Sequence, residues 1–212
     1  IATFGVLKYL NNLDKDSYTI ETKSGILNIN LKENQIFMEQ NIPVFYEELS
    51  YKEIKNSFDI DCINKNIPIQ IVSTGLKDIL IPIKNEEVLW QLKPNFEYIT
   101  EISKKYNVVG MHLYTFSNDK VMCRNFAPLY DVNEESATGT SNCALAGLLF
   151  KKLNIKKDIY SFEQGYSLKA PSQIIVKVIS YDKENIDKIF VGGNSKFLKI
   201  MDINLSENNN SK

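Results

Sequence analysis

The strongest constraint on the fold of this chain is an internal repeat. Residues 1–21 match residues 143–163 without a gap at a constant offset of 142, and eight of the 21 positions are identical, from Ala2/Ala144 to Glu21/Glu163. A match that runs through a helical pattern, its linker and a strand is typical of two copies of one structural unit. The chain is therefore predicted to contain two related halves, with equivalent helices at 1–11 and 142–152.

The two copies differ in the residues that precede them. A loop of small and polar residues at 134–142 leads into the second copy, whereas the first copy starts at Ile1 with no Ser, Thr, Asp or Asn to cap its helix. We therefore expect that Ile1 is not the natural terminus and that the first half is truncated. The first helix is expected to bury Val6, Leu7 and Leu10.

Short apolar runs surround the helical patterns along the rest of the chain. This arrangement predicts an α+β fold with mostly antiparallel sheets, and not a doubly wound one. Further helices are expected at 51–58 and 95–106, and strands at 18–22, 26–31, 35–39, 79–83, 108–116, 121–126, around 162 and at 174–179, with a final hairpin from 190 to near 205. The predicted division is 1–48 for the remainder of the first half, 49–67 for a connecting segment, 68–205 for the second half and 206–212 for a polar tail.

Charge and residue usage narrow the classes of partner. A formal net charge of −1 gives no overall attraction to nucleic acid, and no apolar run approaches the ~20 residues of a membrane span. Neither nucleic acid nor membrane is therefore expected as a partner. Cys62, Cys123 and Cys143 lack a CxxC spacing, which is typical of free thiols in a reducing compartment, so a cytoplasmic location is expected. His112 is the single histidine, and we expect no metal site.

The strongest candidate for a site is the sequence Glu135-Ser-Ala-Thr-Gly-Thr140, directly before the second helix. Small residues allow a ligand to approach the backbone closely, and the unpaired N–H groups at a helix start favour an anion. Glu135, just ahead of that helix, could act as a general acid or base. The alternative is that Thr138 or Thr140 simply caps the helix and that Glu135 complements its dipole.

Four other positions carry weaker signals. The turn formed by Ser73, Thr74 and Gly75 could offer hydroxyl and N–H groups to a ligand, or it could be an ordinary turn. His112 and Cys143 are interpreted as structural residues, the second as a small buried apolar side chain. The only arginine, Arg124, either holds a ligand carboxylate or forms a structural ion pair.

Five short motifs in this order resemble the PhzF-like phenazine biosynthesis protein family. They are 71–76 (IVSTGL), 124–128 (RNFAP), 135–140 (ESATGT), 162–165 with 171–172 (FEQG, PS) and 191–193 (VGG). The resemblance covers essentially the whole chain. It implies the fold of diaminopimelate epimerase, with two pseudo-symmetric halves that each wrap a mostly antiparallel sheet around a central helix.

The same resemblance implies an isomerase that works without a cofactor and moves a proton on a small carboxylic acid by general acid/base chemistry. Glu135 is then the catalytic candidate, although the family has Asp at this position. The implied substrate-binding residues are Ala137, Thr138, Gly139, Thr140, Ser73, Thr74 and Gly75. A homodimer is left open as the assembly.

Two features of the sequence argue against catalysis by this chain alone. The family's first-half catalytic Glu and its loop His would precede Ile1, and the family's Gly-Arg is replaced by Lys169-Ala170. The departures at Glu135 and Lys169-Ala170 favour the alternative function, a non-catalytic, small-molecule-binding member of the same fold, whereas the retained Ala137-Thr138-Gly139 loop favours an isomerase.

Overall fold

The computed structural model of the chain describes residues 1–22, 25–32 and 35–202. Within these residues, 12 strands form one continuous sheet that packs with five helices. The strands are β1 (Ser17–Thr22), β2 (Gly25–Lys32), β3 (Gln35–Gln40), β4 (Val44–Leu49), β5 (Ile69–Ser73), β6 (Lys77–Pro82), β7 (Gly110–Ser117), β8 (Lys120–Ala127), β9 (Val132–Glu135), β10 (Ile159–Gln164), β11 (Ser172–Ile179) and β12 (Lys188–Gly193). The helices are α1 (Ala2–Tyr9), α2 (Tyr51–Ile54), α3 (Glu86–Gln91), α4 (Phe96–Tyr106) and α5 (Gly139–Lys151).

The strands follow the order β1-β2-β3-β12-β11-β10-β8-β7-β6-β5-β4, and β9 pairs with β8 outside this path. The pairs β8–β10 and β6–β7 are parallel, and the other pairs are antiparallel. The predicted α+β class with a mostly antiparallel sheet is confirmed.

The internal repeat of the sequence is visible in the strands. β1 and β10 cover equivalent residues at the offset of 142, and each starts an antiparallel meander of three strands. The two meanders join where β3 pairs with β12. In both directions away from this junction, the third strand of a meander comes first, then its second strand and then its first. One local contact also repeats, because the N–H of Lys15 donates to the Tyr18 hydroxyl (2.7 Å) and that of Lys157 donates to the Tyr160 hydroxyl (3.2 Å). These likenesses support the predicted relation between the two halves.

The two repeated helices have different surroundings. In α5, ten consecutive residues from Ser141 to Phe150 are buried, and the helix packs against β5, β6, β11 and β12. In α1, only Phe4 is buried, against Ile29 and Ile36. The prediction that Val6 and Leu10 are buried is wrong, since they are 42% and 48% exposed. Tyr9 of the same helix is exposed and stacks on Phe197, with ring centroids 4.0 Å apart.

Three segments differ from the sequence-based expectation. Val44–Leu49 is a strand that pairs with β5, so the predicted boundary at residue 48 falls inside β4. The helix Glu86–Gln91 was not predicted, although Asn85 caps it by accepting from the N–H of Val88. The predicted final hairpin is represented by β12, residues 194–202 contain no strand, and position 205 lies outside the described residues.

Close packing at two glycines shapes the sheet. A Cβ at Gly147 of α5 would lie 2.5 Å from the ring of Pro43, so the missing side chain lets the segment before β4 cross the helix. A Cβ at Gly192 would lie 2.3 Å from Cδ1 of Phe37 and 2.7 Å from the carbonyl oxygen of Ile36. Gly192 therefore allows β12 to approach β3 at the junction of the two meanders.

Within the described part of the chain, no helix has the length and apolar character needed to cross a membrane.

Replacing Gly192 with alanine is expected to lower the free energy of unfolding by about 1–3 kcal/mol, because the added methyl group must displace a buried ring or the backbone. Urea denaturation measures the change. The matched control is Gly193→Ala in the same strand, where the nearest atom would be the carbonyl oxygen of Gln173 at 3.3 Å. Equal losses in the two variants would contradict the proposed close approach at the junction.

Candidate active site

A cavity of about 300 Å³ opens at the start of α5. Leu76, Val109, Ala127 and Tyr130 contribute apolar surface. The polar surface comes from the helix start and from side chains on β6, β8 and β9, which are Asp78, Asn125, Glu135, Thr138, Thr140 and Ser141. The cavity lining therefore combines polar groups, which suit a charged part of a ligand, with apolar residues, which suit an apolar part.

The start of α5 has no side-chain cap. Thr138 is the N-cap residue and has extended backbone angles, but its hydroxyl makes no hydrogen bond to the first turn. This hydroxyl instead donates to Oε2 of Glu135 (2.5 Å) and accepts from Nε2 of Gln164 (2.9 Å). The capping role considered for Thr138 is therefore wrong. The N–H groups of the first turn of α5 gain no acceptor from the N-cap side chain, which leaves the helix end suited to an anion.

Glu135 lies at the end of β9 and lines the cavity with an exposed side chain. The hydroxyl of Thr138 donates a hydrogen bond to Oε2 of this side chain. Its exposure and its position at the helix start also fit the alternative that it complements the helix dipole. The position of Glu135 is compatible with both interpretations.

Asp78 also lines the cavity, although no sequence motif indicated it as a site residue. It is only 2% exposed and lies at the beginning of β6, and Oδ2 accepts a hydrogen bond from the Ser141 hydroxyl (2.6 Å). Burial raises the pKa of Asp78 to about 7. The hydrogen bond from Ser141 opposes this rise, nearby Glu135 adds to it with a smaller effect, and the N–H of Gly110 opposes it least. Oδ1 has no hydrogen-bond partner among the described residues. A carboxyl group with this pKa is a strong candidate for a functional residue.

A buried polar network continues from Asp78 into the core. Nδ2 of Asn125 donates to Oγ of Ser141 (3.3 Å) and to Nδ1 of His112 (3.2 Å). Because Nδ1 accepts, the ring proton of His112 is assigned to Nε2. Burial lowers the pKa of His112 to about 4, so the ring is neutral at pH 7. The structural interpretation of His112 is supported by its full burial and by its two ring contacts.

The same network reaches the cavity again at the start of α5. Nε2 of His112 lies 3.2 Å from Oδ1 of Asn142, which fits the assigned ring proton. Nδ2 of Asn142 donates to the carbonyl of Thr138 (2.7 Å) and to Oε1 of Gln164 (3.1 Å). Gln164 in turn donates to the carbonyl of Glu135 (2.8 Å). Through these bonds, Asn142 and Gln164 hold the loop before α5, so the helix start and Glu135 are positioned together.

The turn at 73–75 lies beside the cavity without lining it. The hydroxyl of Thr74 donates to the carbonyl of Thr140 (3.0 Å), and the N–H of Gly75 donates to Oγ of Ser73 (3.1 Å). Gly75 has φ +149°, and the next residue, Leu76, lines the cavity. Of the residues predicted to bind substrate, the cavity lining includes Thr138, Gly139 and Thr140, while Ala137 is exposed ahead of the N-cap.

Arg124 forms a structural ion pair away from the cavity lining. Its Nε and one terminal nitrogen donate to the two carboxylate oxygens of Glu134 (2.8 and 2.9 Å), and the other terminal nitrogen donates to the carbonyls of Leu89 and Leu92 (3.0 and 2.9 Å).

Cys143 is fully buried, and burial raises the pKa of its thiol beyond the usual range. The interpretation of Cys143 as a small apolar side chain fits this position.

Sequence reasoning missed Asp78, Asn125 and Ser141. A signal for Asp78 was present, because an aspartate directly before the apolar run Ile79-Leu80-Ile81 is unusual in a buried strand. Asn125 and Ser141 gave no local signal, since their importance comes from contacts between distant segments.

Comparisons with known proteins agree with the motifs. The family model described as phenazine biosynthesis-like protein, PhzC-PhzF, matches residues 1–199. An uncharacterized isomerase of Clostridium acetobutylicum is 28% identical over 201 residues, which cover 87% of this chain and 67% of that protein. An uncharacterized isomerase of Deinococcus radiodurans is 29% identical over 136 residues, which cover 62% of this chain and 44% of that protein, less than half of its length.

A solved structure shows the same fold. The crystal structure of a phenazine biosynthesis protein of the PhzF family from Bacillus anthracis matches with a TM-score of 0.78 and 26% identity, covering 91% of this chain and 70% of that one. The resemblance inferred from the motifs is confirmed. Since the family model spans nearly all of the sequence, the chain belongs to the phenazine biosynthesis-like (PhzC-PhzF) protein family.

Proposed function

We propose that this protein is an isomerase that moves a proton on a small carboxylic acid by general acid/base chemistry, without a cofactor. The observation that carries the proposal is the cavity at the uncapped start of α5, where Glu135 and Asp78 lie on the lining. The names of its relatives support the isomerase class. Because the matched regions cover only part of those relatives, the activity of the whole protein is part of the proposal.

The helix start supplies the electrostatic part of the mechanism. Its N–H groups and the dipole of a 13-residue helix stabilise a carboxylate in the ground state. They also stabilise the negative charge that develops on a substrate oxygen when a neighbouring carbon loses a proton. Such stabilisation is stronger beside the apolar residues of the lining, where less water screens the charge.

Glu135 supplies the proton transfer in this proposal. The hydroxyl of Thr138 holds Oε2 through a donated hydrogen bond, which orients the side chain of the proposed base. The side chain is exposed, so a proton taken from a substrate can exchange with water. Exposure also favours the alternative function, a protein of the same fold that binds a small molecule without catalysis, and isotope exchange separates the two.

Replacing Glu135 with glutamine is expected to slow solvent deuterium incorporation into a substrate by on the order of a hundredfold, because the base is removed while the shape of the side chain is kept. The measurement uses the complete gene product in deuterated water with a panel of small acids that carry a C–H bond next to an unsaturated carbon. Proton NMR follows loss of the C–H signal.

The matched control is Glu101→Gln on the exposed side of α4, which should leave the exchange rate unchanged. Unchanged exchange in the Glu135 variant would assign Glu135 to the helix start alone. Saturable binding of an acid without any exchange in the wild-type protein would favour the non-catalytic alternative.

A further inference from the structure

We propose that Asp78 is held as a neutral carboxylic acid beside the anion site, so that anion binding at the start of α5 takes up a proton. This inference rests on the proposed function in one respect, namely that the cavity is the ligand site. It adds a second carboxyl group with a role different from that of Glu135.

The two oxygens of Asp78 have different environments. Oδ2 accepts from the Ser141 hydroxyl at 2.6 Å, whereas Oδ1 is buried and has no partner among the described residues. Leaving a buried carboxylate oxygen without a donor is costly. In the neutral acid, Oδ2 remains the acceptor for Ser141 and the proton is placed on Oδ1. The neutral acid thus avoids a charged oxygen that is buried without a donor.

The charged groups around Asp78 favour this neutral form. Glu135, on the neighbouring wall, is an anion that opposes a second negative charge. The two groups that favour ionisation, the hydroxyl of Ser141 and the N–H of Gly110, are both neutral, and no cation contributes among the described residues. His112 is reached only through Ser141 and Asn125, and its ring is also neutral at pH 7. Burial therefore acts on Asp78 without a compensating positive charge.

A bound anion increases the demand for the proton. An anion at the helix start adds negative charge near Glu135 and Asp78, and two carboxylates in one low-dielectric site do not both ionise readily. The anion therefore binds tightly only to the form in which Asp78 is protonated. By linkage, its affinity is constant well below pH 7 and falls by about tenfold per pH unit above the pKa of Asp78.

Benzoate is a suitable test ligand for the complete gene product. It has a carboxylate that can bind at the helix start and an apolar ring that can contact the lining residues Leu76, Val109 and Ala127. The carboxyl group of benzoate has a pKa of about 4, so it stays ionised over the tested range of pH 6 to 8.5. Isothermal titration calorimetry in buffers of different ionisation enthalpy measures both the affinity and the number of protons taken up.

The wild-type protein is expected to bind benzoate at pH 6, to lose about tenfold in affinity per pH unit above pH 7, and to take up close to one proton per benzoate at pH 8. In Asp78→Asn, the side chain stays neutral at every pH and the amide oxygen can still accept from Ser141. This variant is expected to bind benzoate with an affinity that changes less than about twofold across the range, and without proton uptake.

Asp119→Asn, at the far end of the β7–β8 hairpin, is the matched control and should behave as wild type. An infrared band of a protonated carboxyl group at pH 6 that is missing in Asp78→Asn gives a direct second readout without a ligand. No saturable benzoate binding at pH 6, or equal pH dependence in wild type and Asp78→Asn, would overturn the inference.

The two proposals fail in distinguishable ways. If benzoate binding takes up a proton but no acid exchanges deuterium, the neutral acid is supported and the isomerase proposal fails. If exchange occurs and depends on Glu135 while Asp78→Asn leaves the pH dependence of binding unchanged, the isomerase proposal stands and the role of Asp78 is overturned.

Discussion

Replacing Arg124 with methionine is expected to lower the free energy of unfolding by about 3–5 kcal/mol, because it leaves a charged partner buried without its counterion. The Arg124 side chain is 6% exposed and that of Glu134 is 11% exposed. The guanidinium group also satisfies the carbonyls of Leu89 and Leu92 at the end of α3. Arg124, on β8, therefore connects this strand to α3 and to β9. Its replacement removes the two hydrogen bonds to Glu134 and the two to the carbonyls of Leu89 and Leu92.

Urea denaturation at pH 7 measures the change, and the double variant Arg124→Met/Glu134→Leu is its control. Removing both charges avoids the unpaired carboxylate, so the double variant is expected to recover at least about half of the lost free energy. A loss below about 1 kcal/mol in the single variant would show that the ion pair contributes little to stability. Arg124→Lys is expected to be intermediate, because lysine keeps the charge but cannot form the two-pronged contact with Glu134.

The second large effect concerns Asp78 and pH. The pKa of this carboxyl group is about 7 in the folded protein, whereas the ordinary value is 3.8. Between these values the folded state binds a proton that the unfolded state does not, so stability falls as pH rises from 4 to 7. The loss from Asp78 is about 4 kcal/mol in total, and it is fully present above pH 7.

Asp78→Asn cannot ionise, so its stability relative to wild type is expected to rise with pH. Between pH 5 and 8 the difference should grow by about 2–3 kcal/mol, which urea denaturation at several pH values can measure. Asp119→Asn, an exposed control, should differ from wild type by less than about 0.5 kcal/mol throughout. A difference for Asp78→Asn that stays constant with pH would show that Asp78 is ionised in the folded protein.

Local sequence signals predicted the repeated elements well. The strand around residues 18–22 and its copy around Phe162 appear as β1 and β10 at the predicted offset, because alternation of apolar residues specifies a strand locally. The helix expected at 142–152 was also found, as α5 from Gly139 to Lys151. The helix expected at 51–58 was found as the shorter α2, from Tyr51 to Ile54, and the N–H of Ser50 before it donates to Oε2 of Glu53 (2.9 Å).

Burial was less predictable, because it depends on what packs against an element. The helices α1 and α5 have related sequences, yet Val6 is 42% exposed while its counterpart Leu148 is fully buried. The sheet surrounds α5 on several sides, whereas α1 contacts β2 and β3 through Phe4. Similar helical patterns therefore gave different burial according to the number of neighbouring strands.

The candidate site shows the same division. The sequence alone determined that a loop of small residues with Glu135 precedes a buried helix, and that the motifs belong to one family, since these are features of contiguous residues. Only the tertiary structure decided that Asp78 lies beneath that helix start, 63 positions earlier in the chain than Ser141, and that its pKa is raised. The physical reason is that a pKa reflects desolvation and neighbouring charges in three dimensions, and neither is specified by the residues next to Asp78 in sequence.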